Sequence, residues 1–140
     1  MKRIKVIVIL TAMVVLISFV AAGCRTMAGM KDEPLGEGEK RIFSADYNQV
    51  LKATQEAIPA VGLQMEETTE IKGDTWMILA RESSSMFSYG TLVRIVVVKL
   101  DNNQAEVRVV TKRKGALNIG ATGDFSQQLF SAINLKLARK

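Results

Sequence analysis

The segment that most constrains the fold is the run TLVRIVVVKL at residues 91–100. β-branched residues dominate it, and both of its alternating faces are mostly apolar. A strand of this kind is typical of the centre of a sheet. The turn-forming residues 101–104 and the alternating run AEVRVVTK at 105–112 follow directly. Together they predict a β-hairpin, and therefore an antiparallel sheet with residues 91–100 at its centre.

Two amphipathic helices accompany this hairpin. In the first, Ser44 is the expected N-cap, apolar residues recur at helical spacing from Tyr47 to Val61, and Gly62 ends the helix. In the second, Asp124 is the expected N-cap of a helix that carries its apolar residues between 125 and 137. Further strands are expected at 41–43, 63–67 and 75–81. The order β-α-β-β-β-β-α predicts an α+β, two-layer domain: a mostly antiparallel sheet of four to five strands with two helices on one face.

Two helices can cover only one face of such a sheet. If the apolar residues of neighbouring strands lie together on the other face, they form an exposed patch, and such patches usually mark interfaces. The alternative is that the linker before residue 39 or the polar loop 82–90 covers them. The residues of this possible interface are Met77, Leu79, Val93, Ile95 and Val97.

The amino-terminal segment has the layout of a secretory signal peptide. Lys2, Arg3 and Lys5 precede an apolar run at 6–20, and the small residues 21–23 lead directly to Cys24. The cysteine at this position resembles the signal of a bacterial lipoprotein. That resemblance implies a lipid on the sulfur of Cys24, cleavage before it, and acylation of the new amino terminus. A retained membrane anchor and an ordinary signal peptide remain as alternatives.

This resemblance implies a division of the chain into three segments and a location in the cell envelope. Residues 1–23 become the signal peptide, 24–39 the lipidated cysteine with a flexible tether rich in glycine and proline, and 40–140 a single α+β domain. In lipoproteins of the enteric type, an aspartate after the cysteine favours the inner membrane. Arg25 stands there in this chain, so the resemblance implies the periplasmic side of the outer membrane rather than the inner membrane.

The domain itself carries a second resemblance. The helix FSADYNQVLKATQEAI at 43–58 and the closing stretch GDFSQQLFSAI at 123–133 resemble a family of small envelope lipoproteins. Their domains are similar in outline to the helix-grip domains of the outer-membrane barrel-assembly lipoprotein. The resemblance implies a non-enzymatic envelope protein, and it carries over no functional residue.

Composition excludes several classes of chemistry. The chain has no histidine and a single cysteine, which removes disulfides, cysteine-rich metal sites and every histidine-activated nucleophile from the monomer. The net charge of +5 suggests nucleic acid, but three of the 19 basic residues lie in the signal, which leaves 16 against 14 acidic residues. We therefore predict no catalytic residue, no metal, no cofactor and no nucleic-acid partner.

Two charged clusters remain as candidates. Glu66, Glu67, Glu70 and Asp74 are the acidic residues that a wall hydrolase would need, although the adjacent pair 66–67 points to opposite faces of a strand. Lys112, Arg113 and Lys114 form a basic cluster suited to anionic lipid, glycolipid phosphates or a partner. The sequence thus favours a lipid-anchored, non-catalytic envelope protein that binds an envelope protein or glycolipid. A small cell-wall hydrolase and a carrier of lipid or another small ligand are the alternatives.

Overall fold

The computed structural model describes residues 27–82, 90–113 and 124–139. In chain order, its elements are α1 (Met27–Lys31), β1 (Glu39–Phe43), α2 (Tyr47–Ala60), β2 (Leu63–Lys72), β3 (Thr75–Glu82), β4 (Thr91–Lys99), β5 (Ala105–Arg113) and α3 (Phe125–Leu137). The predicted α+β architecture is confirmed, with five strands. The short helix α1 is an addition that the sequence did not predict.

The five strands form one antiparallel sheet in the order β1-β5-β4-β3-β2. Strand β4 is in the middle, as its two apolar faces predict. The β4–β5 hairpin closes through a hydrogen bond of 3.0 Å from the amide of Leu100 to the carbonyl of Gln104. The first strand, β1, pairs with the last, β5, so the edges of the sheet are β1 and β2.

Aspartates begin both long helices. The carboxylate of Asp124 accepts a hydrogen bond of 2.9 Å from the amide of Ser126, which confirms the expected N-cap of α3. In α2 the N-cap is Asp46 rather than Ser44, because its carboxylate accepts from the amide of Asn48 at 2.9 Å. A carboxylate at this position satisfies an amide that has no partner within the helix, and its negative charge suits the positive end of the helix dipole.

Helices α2 and α3 cover one face of the sheet, which we call the helix face. The side chains between them are buried, and the rings of Phe43 and Phe130 meet with centroids 6.3 Å apart. The sheet contributes alternate residues of each strand to this core. Core residues of neighbouring strands lie directly opposite each other. The core residues of the three central strands are Ile78, Ala80, Val93, Ile95, Val97, Ala105, Val107 and Val109.

Candidate functional site

The opposite surface of the sheet, which we call the second face, carries a different kind of residue. Cross-strand pairing fixes its rows, because residues directly opposite each other in an antiparallel pair share a face. One row runs through Val110, Arg94, Leu79 and Glu67. An arginine therefore lies in the centre of a five-stranded sheet, between two apolar neighbours.

Arg94 is fully buried. Its Nη1 donates to the carbonyl oxygens of Met30 and Glu33, each at 2.8 Å, and its Nη2 donates to that of Pro34 at 3.0 Å. Burial lowers the pKa of Arg94, and the nearby carboxylate of Glu37 opposes this effect. An arginine stays protonated in proteins, so the guanidinium remains a cation held by three main-chain acceptors at its Nη atoms, while its buried Nε has no hydrogen-bond partner among the described residues.

The acceptors belong to the segment at residues 27–37, which we call the strap. Carbonyl groups at the end of a helix have no partner within it, and a cation there is favourable. Arg94 meets both needs at the end of α1. Hydrogen bonds to a charged group contribute about 1.5–3 kcal/mol each when they are buried. Arg94 therefore fixes the path of the strap through main-chain carbonyl groups and not through the side chains of the strap.

A small apolar cluster holds the same segment. The side chain of Met30 is 1% exposed and packs with Leu79 and Leu92 of the second face. Met27 and Val110 are partly buried against this cluster. Burying a methionine in this way contributes about 1.5–3 kcal/mol, so apolar packing and the Arg94 hydrogen bonds act on the same helix.

Polar contacts extend along the strap. Lys31 pairs with Glu67 at 2.5 Å, and this hydrogen bond is the largest cause that lowers the pKa of Glu67. Glu33 pairs with Lys112 of β5. Pairs that remain partly open to water contribute little to stability, so these two add only weakly to the contacts of Arg94 and Met30.

This arrangement corrects the expected flexible tether. Residues 24–39 were predicted to be a spacer, yet residues 27–37 run along the second face with a helix and the buried side chain of Met30. Cys24 itself lies outside the described residues. The linker is thus the element that covers this part of the sheet, which was the alternative to an open apolar patch.

The five residues of the predicted interface do not share a face. Ile95 and Val93 lie opposite Ile78 and Ala80, in the core under the helices. Val97 belongs to the same core, whereas Met77 and Leu79 lie on the second face. All five are at most 6% exposed. The expected exposed patch is therefore wrong in its grouping and in its exposure.

The basic cluster is only partly described. Lys112 is half-buried and paired with Glu33. Arg113 is the last residue of β5 and Lys114 lies outside the described residues. A contact of this cluster with anionic lipid or a partner stays a prediction.

The acidic cluster is divided between the two faces. Glu67 lies opposite Leu79 on the second face, whereas Glu70 lies opposite Trp76 on the helix side. Glu66 pairs with Arg81 at 2.6 Å. Glu70 and Asp74 face the start of α2, where burial and, after it, these two carboxylates raise the pKa of Tyr47. The sheet therefore places Glu67 and Glu70 on opposite faces, whereas Glu70 and Asp74 lie near the same tyrosine.

The outer surface of the helix layer has a shallow groove. It has a volume of about 550 Å³ and lies between α2 and α3. Lys52, Lys136 and Arg139 contribute positive charge to it, and Glu56 pairs with Lys136 at 3.6 Å. This groove is a basic surface on the side opposite the strap.

The part of the chain that the structure describes holds neither a metal-binding cluster nor a membrane-spanning helix. Across residues 27–82, 90–113 and 124–139, no three histidine, cysteine, aspartate or glutamate side chains are arranged to hold a metal ion. In the same ranges, no helix has both the length and the apolar character needed to cross a bilayer.

Comparison with known proteins does not place the chain in a family. No protein-family model and no curated protein matches it. Among solved structures, it is similar to a conserved protein from Geobacillus kaustophilus, with a TM-score of 0.48 and 10% identity over 71% of this chain and 93% of the other. It is also similar to the adenylate sensor of AMP-activated protein kinase, solved with the ribofuranotide ZMP, with a TM-score of 0.45 and 15% identity over 77% of this chain and 100% of the other. Neither likeness bears on function.

Sequence reasoning did not find Arg94 or the strap. The available signal was the arginine itself, since it interrupts an otherwise apolar strand. A cation at a central sheet position needs acceptors close by, but the sequence alone does not show which segment supplies them.

Proposed function

We propose that this protein is a lipid-anchored, non-catalytic component of the bacterial envelope that binds another envelope protein or glycolipid. One observation carries the proposal: the segment at residues 27–37, which begins three positions after Cys24, is held on the domain by the buried guanidinium of Arg94. A fixed path from residue 27 to the sheet is useful where Cys24 is an attachment point, because it limits how the domain is presented.

The core and the acids favour binding over the two alternatives. Buried side chains fill the space between the sheet and helices α2 and α3, where a carrier would need a cavity. The carboxylates of Glu66 and Glu67 are engaged with Arg81 and Lys31, where a hydrolase would need them free. The proposal therefore assigns binding to the surface of the domain and not to an internal cavity or a catalytic site.

The anchor is tested by replacing the cysteine. Cys24→Ala should abolish the acyl mass, leave residues 1–23 attached and remove the mature membrane-bound form. Thr26→Ala is the matched control, since it alters a neighbouring residue and keeps the sulfur. Mass spectrometry of the membrane fraction measures both. Wild-type protein that retains residues 1–23 with an unmodified thiol would contradict the proposal.

The partner surface is tested by site-specific crosslinking in intact cells. A photoreactive residue at Lys52 samples the groove between α2 and α3, and one at Lys99 samples the far end of β4. Both positions are exposed. We expect a discrete adduct with an envelope component from Lys52 and none from Lys99. The absence of adducts from Lys52 and from further exposed helix positions would count against a binding role.

A further inference from the structure

We propose that the strap holds the second face of the sheet close against the lipid bilayer, with helices α2 and α3 directed away from it. This inference rests on the proposed acylation of Cys24 and adds an orientation to it. The partner of the second face is then the bilayer surface, and the groove at Lys52 is presented to the periplasm.

The length of the chain carries the first step. Three peptide links join Cys24 to Met27, and each spans at most about 3.6 Å, so their Cα atoms lie within about 11 Å of each other. Met27 is partly buried against the cluster of Leu79 and Leu92 on the second face. An acyl chain on Cys24 enters the bilayer, so Met27, on this side of the domain, stays within about 11 Å of the residue that carries the lipid.

The docked strap determines whether the domain lies close to the bilayer or is held at the end of a flexible tether. If residues 27–37 were extended, these eleven residues would add up to about 35–40 Å of reach. Arg94 and Met30 remove that reach by holding α1 on the sheet. The expected spacer is thereby reduced to the residues between Cys24 and Met27.

The charges near the strap suit an approach to lipid. Three ion pairs lie on this surface, Lys31 with Glu67, Lys112 with Glu33 and Arg81 with Glu66, and the strap also carries the exposed carboxylates of Asp32 and Glu37. Paired charges neither repel anionic head groups strongly nor bind them tightly, so attachment stays with the lipid. At the β1 edge of this face, Lys40 is exposed and Ile42 is 55% exposed, which adds a cation and an apolar side chain suited to the head-group region.

The experiment uses the full acylated chain in vesicles of phosphatidylethanolamine and phosphatidylglycerol. Acylation occupies the only natural cysteine, so one new cysteine gives a unique labelling site. Lys40→Cys reports from the second face and Lys52→Cys from the exposed side of α2. Energy transfer to acceptors on the lipid head groups should place the first probe about 15–20 Å closer to the membrane, roughly one sheet-to-helix spacing plus the radius of a helix.

Two further variants release the strap. Arg94→Met should move both probes away from the membrane and remove the difference between them, while the control Arg81→Met, which alters an ion pair away from Arg94, should change neither distance. A ten-residue Gly-Ser insertion after Thr26 lengthens the connection without altering the described domain, and it should have the same effect as Arg94→Met. This insertion keeps the test decisive if Arg94→Met fails to fold.

The outcomes separate the two proposals. Equal distances for the two probes in the acylated native sequence, or distances that the insertion leaves unchanged, would overturn the orientation and leave the anchor intact. An unacylated Cys24, shown by mass spectrometry of the same sample, would overturn both.

Discussion

Gly38 joins the strap to β1, and replacing it by alanine should destabilise the domain strongly. Its φ is +102°, a backbone conformation that residues with a Cβ rarely adopt. A Cβ at this position would overlap the carbonyl oxygen of Val109 and lie 2.7 Å from Cγ2 of Val110. Val109 pairs with Glu39 in the ladder between β1 and β5, so its main chain cannot move away without breaking that pairing.

The magnitude follows from two separate costs. The left-handed backbone costs a non-glycine residue about 1–2 kcal/mol, and forcing an extra carbon into a packed site costs about 1–3 kcal/mol. Alanine also restricts the unfolded chain, which returns about 0.4–1 kcal/mol. We therefore expect Gly38→Ala to lower the free energy of unfolding by about 3 kcal/mol.

Two other glycines provide matched controls. Gly62 also has a positive φ, of +81°, but nothing lies within 4 Å of its Cβ position. Gly62→Ala should therefore cost only the backbone term, about 1 kcal/mol. Gly36 has equally open surroundings and is not among the described glycines with positive φ, so Gly36→Ala should be neutral or slightly stabilising.

Urea unfolding of the three variants, followed by circular dichroism, measures these differences. The gap between Gly38→Ala and Gly62→Ala, about 2 kcal/mol, corresponds to roughly a thirtyfold change in the unfolding equilibrium constant. If Gly38→Ala cost no more than Gly62→Ala, the close approach of Gly38 to Val109 would be refuted.

Three further predictions concern a helix cap, the strap and the membrane to which the protein is sorted. Asp124→Ala should lower the free energy of unfolding by about 1 kcal/mol at neutral pH. Burial raises the pKa of Asp124, but hydrogen bonds from Ser126 and other neighbours outweigh it and lower that pKa. The stabilisation by the Asp124 carboxylate is therefore present above about pH 4 and is lost as the pH falls through the folded-state pKa. Asp124→Asn should remove this loss of stability at acid pH, as measured by urea unfolding at a series of pH values. Met30→Ala should increase tryptic cleavage within the strap about tenfold or more, whereas Met65→Ala, at a residue 46% exposed, should leave it unchanged, and equal rates would contradict docking by Met30. Arg25→Asp should shift the protein from the outer-membrane to the inner-membrane fraction of a cell lysate; an unchanged distribution would contradict the expected sorting.

Periodicity predicted each strand well and the relation between strands poorly. It correctly placed Met77 and Leu79 on one face of β3, and Val93 and Ile95 on one face of β4. It does not say which of these faces coincide, because a shift of one residue in pairing turns every side chain to the other side. The pairing of Ile78 with Ile95 therefore had to come from the structure.

The strap was harder to predict for a different reason. A flexible spacer and a docked segment differ little in composition when docking depends on main-chain carbonyl groups, which every residue possesses. Met30 provides the one large, fully buried apolar side chain in the strap. The three glycines and one proline of residues 29–38 suggested flexibility, yet Pro34 offers its carbonyl to Arg94 and Gly38 allows the close approach to β5.

The buried arginine is informative because it is a costly way to stabilise a sheet. Removing a guanidinium from water costs several kcal/mol, and an apolar residue at the same position is often neutral or more stable. A leucine at position 94 would suit the apolar pattern of β4 equally well, but it would leave the carbonyls of Met30, Glu33 and Pro34 without a cation. What Arg94 adds over an apolar residue is therefore a defined position for the strap. A defined position for the strap, which begins three residues after Cys24, is what the membrane anchor proposed at that cysteine requires.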